Sequence, residues 1–172
     1  MKKAMLFVVA LMFSVGVNAA TLTLTGIGSN GATQSVDVNN NSTVLGGGTV
    51  SEVGNWSALF DLTSDTSTDV KVEWSFNPFT ALTGATLVFG EITGPNGVFL
   101  PGAQTFDITG DFSFTAFLTA GVYYGLDIVD AASNILKYDV SVSAVPVPAA
   151  LFLFAPALLG FLGLRRKSAV AA

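Results

Sequence analysis

Apolar residues in this chain recur at every second position, and that spacing fixes the fold class. Over Val70-Lys71-Val72-Glu73-Trp74-Ser75-Phe76 the apolar side chains take one parity, and Lys71, Glu73 and Ser75 take the other. Successive side chains of a strand point to opposite faces, so the run predicts one buried and one wet face. Trp56, Ala58, Phe60 and Leu62 repeat the pattern, as do Val122, Tyr124, Leu126 and Ile128, and then Leu136, Tyr138, Val140 and Val142. No run between Thr21 and Ala144 has the 3.6-residue period of an amphipathic helix. Further strands are expected at 21–25, 36–38, 86–92, 105–108 and 112–118. The runs at 122–128 and 136–142, separated by a short polar stretch, are expected to pair as a hairpin. Gly94-Pro95-Asn96-Gly97 is a strong turn signal. Residues 39–43 followed by Gly46-Gly47-Gly48 read as the most loop-like and mobile part. About eight to ten short strands and no helix imply an all-β domain, an antiparallel β-sandwich or jelly roll.

The two ends follow different rules. Lys2 and Lys3, an apolar stretch over 4–15 and small residues at Val17 and Ala19 have the layout of an N-terminal signal peptide cut after Ala19. At the other end, Pro146 and Pro148 each fix φ and remove a backbone donor, which ends the preceding strand. An uncharged run over 149–164 follows, and then Arg165, Arg166 and Lys167. As a helix its 16 residues reach roughly 24 Å, short of a hydrocarbon core of about 30 Å. Pro156 weakens it further. The expectation is a single short C-terminal transmembrane helix with the basic cluster in the cytoplasm and the body outside. The chain thus divides into a signal peptide at 1–19, an exported domain at 20–144 and a tail at 145–172.

Val145-Pro146-x-Pro148-Ala149-Ala150, the aromatic-rich run that follows and Arg165-Arg166-Lys167 together resemble the PEP-CTERM sorting signal of Gram-negative bacteria, the substrate tail of exosortases. The commonest form has Glu between the prolines; this chain has Val147. The resemblance implies an exported cell-surface or extracellular-matrix protein associated with exopolysaccharide and biofilm. Its processing partners would be signal peptidase and an exosortase, by resemblance a membrane cysteine protease that cuts near 145–148. An inner-membrane intermediate would precede release to the cell surface or the exterior. In that scheme Pro146 and Pro148 keep the cleavage region extended, and Arg165 to Lys167 set its depth. A plain membrane anchor is the competing reading of the tail. The body, through Leu118-Thr119-Ala120-Gly121-Val122-Tyr123-Tyr124, loosely resembles the small β-domains carried ahead of such tails.

Charge and composition then remove whole classes of function. Of seven Lys and Arg residues only Lys71 and Lys137 lie in the body, against all twelve acids, a net of −10 (2 − 12). Such a surface repels nucleic acid, so no nucleic-acid partner is expected. Without cysteine there are no disulfides, and a core must hold the domain. Without histidine or cysteine there is no Ser-His-Asp or Cys-His site and no usual zinc site. Asp61, Asp65 and Asp69 recur every four residues and could supply oxygen ligands to calcium. Their spacing matches no EF-hand, and solvated loop acids are the ordinary reading, so neither metal nor cofactor is called for. A glycosidase needs two carboxyl groups across a cleft; no converging pair is expected, and the protein is read as non-enzymatic. Trp56, Trp74, Tyr123 and Tyr124 could form a sugar-stacking platform, the mark of a carbohydrate-binding β-sandwich module. Alternation buries three of them and exposes only Tyr123. Sequons begin at Asn40, Asn41 and Asn55, a number that chance explains in so Asn- and Ser-rich a chain.

Overall fold

The structure is a computed structural model that describes residues 20–28, 33–50, 58–77, 85–130 and 136–145. Ten strands follow in order: β1 (Leu22–Gly28), β2 (Thr33–Val38), β3 (Thr43–Val50), β4 (Ala58–Ser64), β5 (Thr68–Asn77), β6 (Thr86–Glu91), β7 (Gln104–Asp107), β8 (Phe112–Leu118), β9 (Tyr124–Val129) and β10 (Leu136–Ala144). They form two five-stranded sheets, one ordered β1-β4-β9-β6-β7 (sheet A) and the other β2-β3-β10-β5-β8 (sheet B). Every pairing is antiparallel. The all-β, antiparallel sandwich expected from the alternation is therefore present, with no helix among the described residues.

The core lies between the inner faces. Leu22 and Leu24, Phe60 and Leu62, Leu126 and Ile128, and Leu87 and Phe89 enter from sheet A. Val70, Val72, Trp74 and Phe76 enter from β5, and Tyr138, Val140 and Val142 from β10. On β5 the alternation holds residue by residue, with Lys71, Glu73 and Ser75 exposed. Phe60 ties the layers together: its ring sits edge-on to Trp74 and to Tyr138, 6.4 Å from each centroid. Edge-to-face rings add about 0.5–1.5 kcal/mol per pair beyond the area they bury.

Two expectations fail, each for a physical reason. The glycine-rich segment read as a mobile loop is β3, an eight-residue strand between β2 and β10. Its glycines are matched to large neighbours. A Cβ on Gly46 would stand 2.8 Å from the Phe60 ring, and Gly48 lies opposite Tyr138. The bare backbone leaves room for the aromatic centre of the core. The expected β9–β10 hairpin does not form. β9 pairs with β4 and β6 in sheet A, while β10 pairs with β3 and β5 in sheet B. Alternation tells which parity is apolar but not which strand pairs with which. Here the two apolar faces meet across the core instead of lying side by side.

The expected turn at Gly94–Gly97 forms, closed by the Gly97 N–H donating to the Gly94 carbonyl at 2.9 Å. Asn96 takes φ 52°, a left-handed conformation that Asn tolerates better than most residues. This turn folds back from β6 over the outer face of sheet A and creates the site described next.

Candidate functional site

On the central strands of sheet A the outward positions should be wet, yet two of them are buried acids. Asp61 on β4 is 7% exposed and Asp127 on β9 is 9% exposed. In the β4–β9 register Asp61 faces Gly125, and Leu59 faces Asp127. The two aspartates are thus diagonal neighbours on one face, a relation that brings side chains within reach of each other.

The loop after β6 covers them. Ile92 and Phe99 form an isolated bridge, and the Thr93 N–H donates to the Val98 carbonyl at 3.0 Å. The Asn96 N–H donates to Asp61 Oδ2 at 2.7 Å and pins the turn to the strand. Phe99 lies over Gly125 so closely that a Cβ there would be 2.7 Å from its ring. Glycine is thus required at 125 for the loop to seat. Between loop and sheet runs a cleft of about 360 Å³, walled by Leu59, Ile92, Val98 and Phe99, with Asp61 and Asp127 in it. A smaller depression of about 190 Å³ adjoins it at Ile27 and Asp61, lined by Thr23, Thr25, Thr63, Pro95 and Tyr123.

The electrostatics of this pair are unusual. Burial raises the Asp61 carboxyl above its ordinary value, partly offset by the Asn96 N–H. Burial, then the neighbouring Asp61 charge, push Asp127 up to about 7, against a lowering hydrogen bond from the Phe60 backbone. No strand of sheet A carries Lys or Arg. Lys71 and Lys137, the two cations of the body, stand exposed on β5 and β10 of the other sheet. The pair therefore has acceptors to spend and no basic side chain to spend them on.

The other candidate residues fall elsewhere. Asp65 lies in the exposed turn after β4, where its Oδ1 accepts the Thr21 N–H at 2.7 Å, a bond that lowers its pKa. Asp69 is exposed on β5 in sheet B. Asp61, Asp65 and Asp69 are therefore not gathered around one point, and no cluster of three metal-binding side chains occurs among the described residues. Trp74 and Tyr124 are core residues at 2% and 4% exposure, and Tyr123 is exposed at 36%. The only other exposed aromatic among the described residues, Phe117 at 59%, belongs to sheet B, so the described residues hold no aromatic platform. Trp56 lies outside the described residues. Val145 is exposed at the end of β10, its N–H donating to the Asp69 carbonyl at 2.8 Å. Val17, Ala19, Pro146, Pro148, Ala149, Arg165, Arg166 and Lys167 lie outside the described residues, as does the 149–164 run. Among the described residues no helix is long and apolar enough to cross a membrane.

The expectation that no two carboxylates converge in a pocket is overturned by Asp61 and Asp127. Asp127 carries no signal in the sequence, because a lone acid in Gly125-Leu126-Asp127-Ile128 reads as an ordinary outward residue. Only the β4–β9 pairing and the loop above it make a site. The outer face of sheet B also holds a trough, of about 510 Å³, among Asp37, Glu73, Asp111 and Asp139. All four are exposed, so that trough lacks the buried acceptors of the cleft.

No family model matches the chain, and no curated protein matches it. Among solved structures, it is similar to a carbohydrate-binding module of a Cellvibrio mixtus lichenase, in complex with cellotriose. That likeness has 15% identity and a TM-score of 0.41, covering 75% of this chain and 98% of that one. It is also similar to the C-terminal module of a Zobellia galactanivorans laminarinase, with 9% identity and a TM-score of 0.38, covering 72% and 98%. An arabinose-bound α-L-arabinofuranosidase matches with 11% identity and a TM-score of 0.43, covering 71% of this chain and 23% of its own. Likenesses of this depth assign neither ligand nor activity.

Proposed function

We propose that this chain is an exported, non-enzymatic surface or matrix protein of a Gram-negative bacterium whose sandwich binds a neutral extracellular polysaccharide. The observation that supports the binding is the Asp61–Asp127 pair, two buried acceptors on a sheet without a basic side chain. A polyhydroxylated ligand supplies O–H donors to such a pair without bringing charge of either sign. Leu59, Ile92 and Phe99 offer apolar walls to the C–H faces of a sugar ring, in the usual mixture of apolar lining and few polar groups. Uronates and sulfated sugars are disfavoured by the pair and by the −10 body.

Export and sorting are supported by sequence: the signal-peptide layout of 1–19 and the PEP-CTERM-like tail from Val145. Signal peptidase removes 1–19, the tail halts in the inner membrane, and an exosortase cuts near 145–148. The Pro146→Ala/Pro148→Ala variant then accumulates as a membrane-bound precursor, read from intact masses of medium and membrane fractions. Release equal to wild type refutes the sorting half.

The binding half is tested by affinity electrophoresis through gels containing a neutral glucan, mannan or xylan, or alginate. Retardation is expected in one or more of the neutral gels and not in alginate, with affinity falling at least about tenfold in Asp61→Asn and Asp127→Asn. Equal mobility in every gel refutes it. One observation favours a second reading, glycoside hydrolysis. A carboxyl held near 7 beside a second carboxyl is the separation of acid from base that such chemistry uses. Reducing ends released by wild type and abolished in Asp127→Asn would replace binding by hydrolysis.

A further inference from the structure

Among the described residues the two open sheets have four edge strands: β1 and β7 in sheet A, β2 and β8 in sheet B. Unpaired edges invite pairing with another chain, and proteins blunt them with bulges, charges or short strands. Three of the four are blunted. β1 is interrupted between Gly26 and Gly28, and β2 between Val36 and Val38, with Asp37 at the break. β7 is only four residues long and ends on Asp107. β8 differs. Its seven residues, FSFTAFL, contain no charge, proline or glycine, and they pair with β5 without a break from Phe112↔Trp74 to Leu118↔Thr68.

The side chains of β8 are also incompletely covered. Phe112, Phe114 and Ala116 point to the core but are only partly buried. They continue a row of rings with Phe106, stacked 4.6 Å from Phe114, and Phe89, 5.3 Å from Phe114. On the outer face Phe117 is 59% exposed.

We propose that β8 is a homotypic docking edge, on which a second copy of this chain adds its own β8 antiparallel about a two-fold axis at Thr115. Strand parity requires inward residues to meet inward ones, and of the allowed registers this one pairs all seven residues. It sets Phe114 against the partner copy's Ala116, and Ser113 against its Phe117, large against small in both pairs. Phe112 meets Leu118, and Thr115 meets its twin. A two-fold interface must be self-complementary in this way. It must also avoid like charges across the axis, and a domain carrying −10 can meet itself at an uncharged strand more readily than at its acidic faces. The result is a continuous sheet of sheet B and its copy, with the half-covered rings of each edge shielded by the other. One seven-residue edge is small beside the roughly 1,200–2,000 Å² of stable complexes, so the dimer is concentration dependent.

The chain has no cysteine, which makes cross-linking a clean test. Directly opposed residues of antiparallel strands have Cα atoms about 4.5–5.5 Å apart, within disulfide range. Full-length Thr115→Cys in detergent, mildly oxidised, is expected to form a disulfide dimer at least about tenfold more than Ser35→Cys, an exposed position on β2 of the same sheet. A mixture of Ser113→Cys and Phe117→Cys chains should cross-link, whereas Ser113→Cys alone should not. Thr115→Lys places two ammonium groups across the axis, and sedimentation should show it monomeric where wild type dimerises. Equal cross-linking of Thr115→Cys and Ser35→Cys, or a wild type no more dimeric than Thr115→Lys, overturns the proposal. Cross-linking in host cells chiefly to a different protein also overturns it, because the edge would then serve a foreign strand.

Discussion

Replacing Asp127 by Asn tests the electrostatics of the cleft independently of any ligand. The side chain keeps its shape and its acceptor for the Phe60 N–H but loses the buried charge. Burial and Asp61 raise the Asp127 carboxyl to about 7, whereas the unfolded chain releases that proton near the ordinary value of about 4. Between about pH 4 and pH 7 the folded protein holds a proton that the unfolded chain gives up. Its contribution to stability is therefore complete below about pH 4 and is lost as pH rises through 7. At about 1.4 kcal/mol per unit, the ceiling is about 4 kcal/mol, and water reaching the pair through the cleft leaves about 2–4 kcal/mol observable. Asp61 is shifted in the same direction. Asp65, lowered by the Thr21 N–H, acts with opposite sign. Its contribution is present above about pH 4 and is lost below that value, outside this window. Urea unfolding of wild type and Asp127→Asn at pH 4, 5, 6, 7 and 8 reads the effect directly. Wild type should lose stability across the range while the variant changes much less, so that the variant is the more stable at pH 8. A flat wild-type curve, or two parallel curves, would refute the claim that Asp127 is ionised only at a cost.

Other residues give simpler expectations. The Tyr138 hydroxyl and the Trp74 indole N–H are buried without a hydrogen-bond partner among the described residues. Tyr138→Phe should therefore raise stability by about 1 kcal/mol, measured by urea unfolding, because it deletes an unpaid desolvation cost and keeps the ring. Gly125→Ala should leave the core intact but lift Phe99, whose ring stands 2.7 Å from the added Cβ. Accelerated proteolysis within the 92–100 loop, together with weakened polysaccharide retention, would show it.

The sandwich was legible in the sequence because its central strands obey a period of two on faces that are either dry or wet. β5 is the clearest case: Val70, Val72, Trp74 and Phe76 go in, and the residues between them stay out. β3 was not legible, because after Val44 its inward positions 46 and 48 carry glycine, and a glycine has no parity to read. Pairing with β2 and β10 makes β3 a strand, and its glycines leave room for Phe60 of β4, while Gly48 stands opposite Tyr138 of β10. The cleft was hidden for a related reason. Asp61 and Asp127 are 66 positions apart, and each alone reads as a wet outward residue. They become a pair through the β4–β9 register, and a desolvated one through a turn that the sequence announces without showing where it lands. Short-range chemistry marks elements, whereas partners across a sheet and cover above it are set by the whole core.

The cleft and the β8 edge lie on different sheets, and this arrangement makes a prediction that neither makes alone. Pairing through β8 prolongs sheet B and leaves the outer face of sheet A untouched in both copies. A dimer would therefore present two open clefts, and a polymer long enough to reach both would be held by the second as an intramolecular event, which can strengthen retention by 10²–10⁴-fold. A short oligosaccharide occupies one cleft and gains nothing. Thr115→Lys should therefore leave the calorimetric affinity for an oligosaccharide unchanged while weakening retention in a polymer gel at least about tenfold. Asp127→Asn should weaken both, because it alters the cleft itself. Equal losses of oligosaccharide and polymer binding in Thr115→Lys would mean that the substitution damages the domain. Unchanged retention of a variant shown to be monomeric would mean that each cleft acts alone, and the coupling of assembly to binding would be wrong even if both sites exist.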